Sequence, residues 1–325
     1  MGLQHSAILS VLTGRRVCVY DSSERLRSIA RLFAKKLCVH ENLDDLLKDD
    51  SLRAMYVCTP VQTHEALIKQ IVNTSGGDSA VFVEKPLSVD YASAKRMVDL
   101  MASTGRKNMV GFQKRFNGVY KKLKETLDAG VIGDVSQYLA HSFSYDVPKR
   151  AEGWKFEPPS GGVTLDFGAH LLDILAFLFG EPDVTSSFVS STFSTQVEDF
   201  AHAALAHKEV YGTIEVGWTM RNYAPNDHAI EIHGTKGTAV ATDDELTLYL
   251  DNSKGDVFAK GITKYHTSQL TPEVPYLLTY PEYVCEDQYF LGSIVDGKRS
   301  LPDFEQASRI NQIVDDIRER ARRSI

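Results

Sequence analysis

Asp166 and His170 stand four residues apart in the run Leu165-Asp166-Phe167-Gly168-Ala169-His170. On a helix that spacing puts both side chains on one face. An unperturbed imidazole titrates near 6.5, so His170 suits removal of a hydroxyl proton at neutral pH. Asp166 can hold the imidazole tautomer, bind a neighbouring hydroxyl, or do both. A position near a helix N-terminus would keep it ionised. Lys85 lies elsewhere in sequence, just past the apolar run Ala80 to Val83. A cation at a strand end can hydrogen-bond a reacting oxygen, stabilise developing alkoxide charge and lower a hydroxyl pKa. Pro86 biases Lys85 toward extended backbone. The chemistry these three residues predict is oxidation of a secondary alcohol. A base takes the hydroxyl proton while a hydride acceptor sits about 3–3.5 Å from the carbon. The plainer readings are a surface lysine after a strand, a helix histidine satisfied by Asp166 or Asp173, and a first-turn carboxylate that serves only the helix dipole.

The elements around these residues predict an α/β fold. Up to residue 112, short apolar runs alternate with helical stretches: Arg16 to Tyr20, Ala54 to Cys58, Ala80 to Val83 and Asn108 to Phe112 read as strands. Helical patterns cover Glu24 to Lys35, Gln62 to Val72 and Tyr91 to Ala102. Near-continuous apolar strands separated by helices imply a parallel sheet covered on both faces. After a helix over Val119 to Ala129, a long strand is predicted over Val135 to Phe143 and a single helix over Val163 to Phe179, closed by Gly180. Strand-like stretches then follow in succession from Val184 to Leu250, which predicts a large, mostly antiparallel open sheet. The expected division is an α/β domain over 1–112, an α+β domain over 113–303, and a surface-packed helix over 304–325.

The cofactor end rests on few residues. Met1-Gly2 leads straight into a plausible helix, Leu3 to Leu12. Gly2 is in place to be the last glycine of a dinucleotide fingerprint, the one that allows close helix–strand packing. Asp21 follows 19 residues later, at the end of the next strand. That is the spacing of the acidic residue that accepts from both adenine ribose hydroxyls and repels a 2'-phosphate. Asp21 therefore favours NAD over NADP. The plainer reading is a helix that begins at Gly2 by chance, followed by a solvated turn aspartate.

Two segments carry a resemblance: Val83-Glu84-Lys85-Pro86-Leu87, and Gly161-Gly162-Val163-Thr164-Leu165-Asp166-Phe167-Gly168-Ala169-His170. Together they resemble the glucose-fructose oxidoreductase / inositol dehydrogenase / rhizopine-catabolism family, Gfo/Idh/MocA. Cys58-Thr59-Pro60, Val110-Gly111-Phe112 with Arg115-Phe116-Asn117, and Glu231 to Gly237 also look like that family. The resemblance implies an N-terminal Rossmann-type domain that binds NAD or NADP, and a second domain that carries substrate and often the subunit interface. It implies that Lys85 stands beside the nicotinamide, that Asp166 and His170 open a helix, and that His170 is the proton acceptor. Thr59 and Pro60 are expected to shape the loop over the cofactor, and Glu84 to pair with a cation or a ribose hydroxyl. Arg115, with Gln113 and Lys114 beside it, and Trp154-Lys155 in the Pro- and Gly-rich loop are expected near substrate. The chain departs from the family at its start, where the first strand and the first two glycines, about ten residues, are missing. The expectation is a start placed too late or a truncated chain, the alternative being a short form that binds cofactor poorly.

Composition limits the partners. The 325 residues carry a formal charge of -7 and no long basic block, which makes nucleic acid an unsuitable main partner. The longest strongly apolar run, Leu171 to Phe179, is far short of the roughly 20 residues of a membrane span. The N-terminus has no signal-peptide pattern. Cys18, Cys38, Cys58 and Cys285 form no close metal-type pair in sequence and read as reduced core residues of a cytoplasmic protein. No metal is expected, since no cysteine or second histidine completes a set with Asp166, His170 and Asp173. The reading is thus an NAD-dependent oxidoreductase of a sugar, nucleotide sugar or cyclic polyol, as a homodimer or homotetramer. The alternatives are a non-catalytic regulatory protein on the same fold, or a tight-NAD enzyme using transient oxidation for elimination or hydrolysis.

Overall fold

The computed structural model describes residues 1–75, 78–145, 153, 156–223, 226–255, 258–274 and 280–323. The chain divides into two compact units. Residues 1–88, 92–111 and 273–308 form the first, and 89–91, 112–272 and 309–325 the second.

The first unit alternates helices with short parallel strands: α1 (Gly2–Thr13), β1 (Val17–Val19), α2 (Glu24–Arg31), β2 (Leu37–Val39), α3 (Leu43–Leu47), β3 (Ala54–Val57), α4 (His64–Thr74), β4 (Ala80–Glu84), α5 (Tyr91–Thr104) and β5 (Asn108–Gly111). Local chemistry fixes several starts. The Ser23 hydroxyl caps α2 at Leu26 N, and the Asn42 amide oxygen caps α3 at Asp45 N. All five residues of β4 are buried, as a strand covered on both faces requires. The parallel sheet is in two pieces, β1–β2 and β3–β4–β5. Among the described residues no ladder joins them. The doubly wound pattern places a strand between such pieces; here α1 packs against β1 and against α9 (Pro281–Val295). That helix lies in the segment 273–308, which returns to the first unit, a return that a second domain running unbroken from 113 to 303 does not describe. Cys18 and Cys38 are direct partners across β1–β2, although the sequence reading kept all four cysteines apart.

The second unit is built on one eight-stranded sheet, in the order β13-β12-β11-β10-β6-β9-β8-β7. Its strands are β6 (Val135–Phe143), β7 (Asp183–Ser190), β8 (Phe200–His207), β9 (Val210–Gly217), β10 (Asp227–Gly234), β11 (Gly237–Thr242), β12 (Glu245–Leu250) and β13 (Gly261–His266). Every pairing is antiparallel except β6 with β9. Helices α6 (Gly118–Asp128) and α7 (Ala169–Phe179) pack on the sheet, and the short α8 (Thr267–Leu270) contacts α6. Burial alternates along β8 and β10, the signature of a sheet with one covered face. Tyr138 of β6 lies buried under α7, stacked on Phe179 with ring centroids 5.4 Å apart. Its ring occupies the space above Gly212, where any Cβ would stand 2.4 Å from it. His207 Nδ1 donates to Gly180 O (2.7 Å), so its Nε2 accepts from the Tyr138 hydroxyl (2.9 Å). This chain holds the far end of α7. The last helix, α10 (Phe304–Arg323), begins in the first unit and runs into the second. No helix among the described residues is long and apolar enough to cross a membrane.

Candidate functional site

Parallel strands present their C-terminal ends at one edge, which is where open α/β sheets bind ligands. In the first unit β3 leads into Thr59-Pro60 and β4 ends at Glu84, just before Lys85, within one ladder. From Ser79 to Ser88 every residue is buried except Lys85, which is half-exposed. The strand thus releases one side chain, the cation, from an otherwise closed run. Glu84 turns inward instead. Its Oε2 accepts from the Lys85 backbone N–H at 3.1 Å, and its Oε1 meets His5 Nε2 at 2.9 Å. The cation that the sequence reading allowed Glu84 is supplied by α1 of this chain.

His5 is the missed residue of this unit. Its Nδ1 lies 3.0 Å from both carboxylate oxygens of Asp287 on α9, so one imidazole stands between two buried carboxylates. Burial alone would lower its pKa, but the hydrogen bonds and charges of Asp287 and Glu84 prevail and push it up to about 10. His5 is therefore an imidazolium donating from both nitrogens. No sequence signal gave this pair, because 282 positions separate the partners.

Thr59 and Pro60 are exposed, at the head of a 3-10 turn over Val61–Thr63. The Thr63 hydroxyl donates to Pro60 O (2.7 Å) and therefore accepts from the Thr59 hydroxyl (2.6 Å), which fixes the loop. Buried His64 braces it further. Its two ring nitrogens face Thr59 O (2.9 Å) and Leu87 O (3.2 Å), and burial holds its pKa down. Asp21, past the end of β1, is exposed, with Oδ1 accepting from Ser23 N at 2.8 Å and its other oxygen open to a ligand. At Gly2 an added Cβ would meet Cys58 Cβ at 3.7 Å, an ordinary contact, so packing does not demand glycine there. The N-cap of α1 uses no side chain; Gln4 N and His5 N donate to Met1 O (2.8 and 3.2 Å), which leaves the Gly2 and Leu3 N–H groups to meet an anion. The residues present thus fit the ribose end and the nicotinamide side of a dinucleotide. For the pyrophosphate they offer a helix N-terminus alone.

In the second unit the run Gly161–Leu175 is buried throughout except for half-buried Asp166. The single helix expected over Val163 to Phe179 is two elements: a π-helical turn over Thr164–Gly168, then α7 from Ala169. A π turn inserts an extra residue into the helical ladder, which a 3.6-residue pattern does not reveal. It carries Asp166, and His170 follows in the first turn of α7. The His170 ring is buried, edge-on to Phe112 with centroids 6.4 Å apart. The turn has a rigid mount. Gly162 has φ +108°, and a Cβ there would stand 2.3 Å from Glu198 Oε1 and 2.4 Å from Arg318 Nη2. Those groups form a half-buried ion pair (2.7 Å), Arg318 also donates to Gly161 O (2.7 Å), and Val163 N donates to Glu198 O (3.0 Å). Gly162→Ala is expected to cost the second unit about 3 kcal/mol. Urea unfolding checks this, and a wild-type midpoint would show that the mount is soft.

Arg115 donates from Nε (2.8 Å) and Nη2 (2.7 Å) to the two carboxylate oxygens of fully buried Asp173. Burial pushes the Asp173 carboxyl up, against the attraction of Arg115. The structure thus uses Arg115 to hold α7 to the segment before α6. Lys114 is engaged with Asp243 (2.7 Å), to which the Tyr120 hydroxyl also donates at 2.9 Å. Trp154 and Lys155 lie outside the described residues.

Comparison with known proteins follows this division. A family model described as "Oxidoreductase family, NAD-binding Rossmann fold" matches residues 5–112, and one described as "GFO/IDH/MocA C-terminal domain" matches 120–240. An uncharacterized oxidoreductase of Schizosaccharomyces pombe is 28% identical over 166 residues, 51% of this chain and 44% of that protein, so this match spans less than half its length. The scyllo-inositol 2-dehydrogenase (NAD(+)) of Bacillus subtilis is 26% identical over 321 residues, 93% of this chain and 85% of that one. A solved levoglucosan dehydrogenase in complex with NADH and levoglucosan shares the fold at a TM-score of 0.85 and 19% identity, over 99% of this chain and 94% of its own.

Proposed function

The chain belongs to the Gfo/Idh/MocA family of oxidoreductases, and we propose that it is an NAD-dependent dehydrogenase of a sugar, nucleotide sugar or cyclic polyol. One observation carries the reading. Two long buried runs each release a single side chain, Lys85 in one unit and Asp166 in the other, and His170 follows Asp166 by one turn. When bound, NAD supplies the hydride acceptor. His170 takes the hydroxyl proton on an imidazole nitrogen. Asp166 accepts a hydrogen bond from a neighbouring hydroxyl, which selects substrates with adjacent hydroxyl groups. Lys85, in the unit that fits the dinucleotide, orients the nicotinamide amide. The names of the inositol and levoglucosan relatives support this substrate class. The open face of the eight-stranded sheet exposes Leu139 and Tyr211, and we propose that a second copy of the chain covers it in a homodimer or homotetramer.

The test is incubation with NAD and a panel of sugars, nucleotide sugars and inositols, followed by NADH absorbance. Accumulation of NADH with one stereochemical class is the expected result. NAD binding by calorimetry without NADH on any polyol would replace the dehydrogenase reading with transient oxidation, and no NAD binding would end both. Asp21 sets the choice of dinucleotide. Asp21→Ser is expected to weaken NAD binding by about 10–100-fold, the loss of a charge-assisted hydrogen bond, and to strengthen NADP binding. An unchanged NAD to NADP ratio would remove Asp21 from the site.

A further inference from the structure

We infer that Cys18, Cys38 and His40 form a binding site for a thiophilic divalent cation of the zinc type, which staples β1 to β2. The inference is independent of the reaction proposed above. Cys18 and Cys38 are direct partners in the parallel register. Alternate residues of a strand point to one face, so His40, two residues beyond Cys38, shares it. The His40 backbone N–H donates to Val19 O at 2.9 Å, which extends the β1–β2 register to the histidine itself. The two sulfurs and one ring nitrogen all lie within 4.8 Å of one another.

Tetrahedral zinc, with sulfur at about 2.3 Å and nitrogen at about 2.0–2.1 Å, sets its ligands about 3.5–3.8 Å apart. The three donors therefore need to close by about 1.3 Å at most, within the reach of side-chain rotation. Among the described residues His40 Nε2 is shielded from solvent and has no hydrogen-bond partner. All three residues are half-exposed, so an ion has access. The Asp49 carboxylate bears electrostatically on both Cys18 and His40, and solvent or that carboxylate would supply the fourth ligand. A backbone spacing of about 4.8 Å between paired strands lies within the Cα range of a disulfide, about 4.4–6.8 Å, so the spacing alone does not choose between ion and S–S bond. The His40 ring nitrogen beside the two thiols is what favours an ion.

The ladder also has use for a staple. Each strand has three residues, the pair is separate from the other parallel piece, and two-stranded ladders are marginal in water. On binding, both thiols lose their protons to solvent and the thiolates bond the ion. The held strand is the one that leads into Asp21.

The test uses the whole chain, freed of metal by chelator and titrated with Co2+. A single equivalent is expected to bring visible tetrahedral bands and a thiolate-to-metal band in the near ultraviolet. Zn2+ should abolish both. Cys38→Ser and His40→Gln are each expected to weaken Zn2+ binding by roughly 100-fold or more, whereas Cys285→Ser should leave it unchanged. If the serine variant fails to fold, His40→Gln decides alone. Absence of the thiolate band, titrations unchanged in the variants, or oxidation of Cys18 and Cys38 to a disulfide without metal uptake would each overturn the assignment.

Discussion

Replacing His170 with asparagine is expected to lower kcat for alcohol oxidation by about 10²–10⁴-fold, the usual contribution of a positioned base. Asparagine keeps the size and hydrogen bonding of the site but cannot accept a proton near neutral pH. The Glu198–Arg318 pair that mounts the π turn is unchanged, so the variant should fold and unfold like the parent. NAD affinity by calorimetry should also hold, since Asp21, Thr59, Pro60 and Lys85, the residues that fit the dinucleotide, are unchanged. The diagnostic readout is the pH profile. The parent should lose kcat as the base protonates, and that acid limb should vanish in the variant. Asp166→Asn should act mainly on KM for polyol, through the lost hydrogen bond to a neighbouring hydroxyl. A His170→Asn enzyme with full kcat, beside an Asp166→Asn enzyme without activity, would move the base to Asp166.

The motif behind that prediction was legible because it is local. Asp166 and His170 lie within one stretch of sequence, and the apolar run before Lys85 announces a strand end. Strand β6 was readable to the residue, and its burial alternates from Tyr138 to Ser142. The supports were not legible, because each depends on a partner remote in sequence. Gly162 was visible as a glycine, but its necessity comes from Glu198 and Arg318. Cys38 and His40 spell a C-x-H strand, but nothing in sequence gives the register that brings Cys18 beside them. The helix α9 escaped for a related reason. Glu282, Glu286 and Asp287 interrupt its apolar pattern, yet all three are buried. A periodicity argument sends such residues to solvent unless it knows their partners, and for Asp287 the partner is His5.

Replacing His5 with glutamine is expected to destabilise the first unit by about 3–5 kcal/mol at neutral pH, because Glu84 and Asp287 are left as buried carboxylates without their cation. The melting temperature should fall by on the order of 10 °C. The pH dependence separates this from a simple packing loss. The folded pKa of His5, about 10, lies above the ordinary 6.5. Its stabilisation is therefore complete below about pH 6.5 and is lost as pH rises through about 10. Across that window the parent should lose stability by up to about 1.4 kcal/mol per pH unit relative to the glutamine variant. Asp287 responds in the opposite sense: burial pushes its carboxyl up and His5 pulls it back. Asp287→Asn should therefore move the His5 window to lower pH without abolishing it, since Glu84 remains. Parallel stability curves for parent and His5→Gln between pH 6.5 and 10 would show that His5 is neutral in the folded protein. The charge also matters beyond stability. Glu84 Oε2 accepts from the Lys85 backbone N–H, so the imidazolium that holds Glu84 also fixes the backbone from which Lys85 projects. In the pH range where His5→Gln remains folded, a loss of kcat beyond the loss of folded protein would mark His5 as a positioning residue for Lys85.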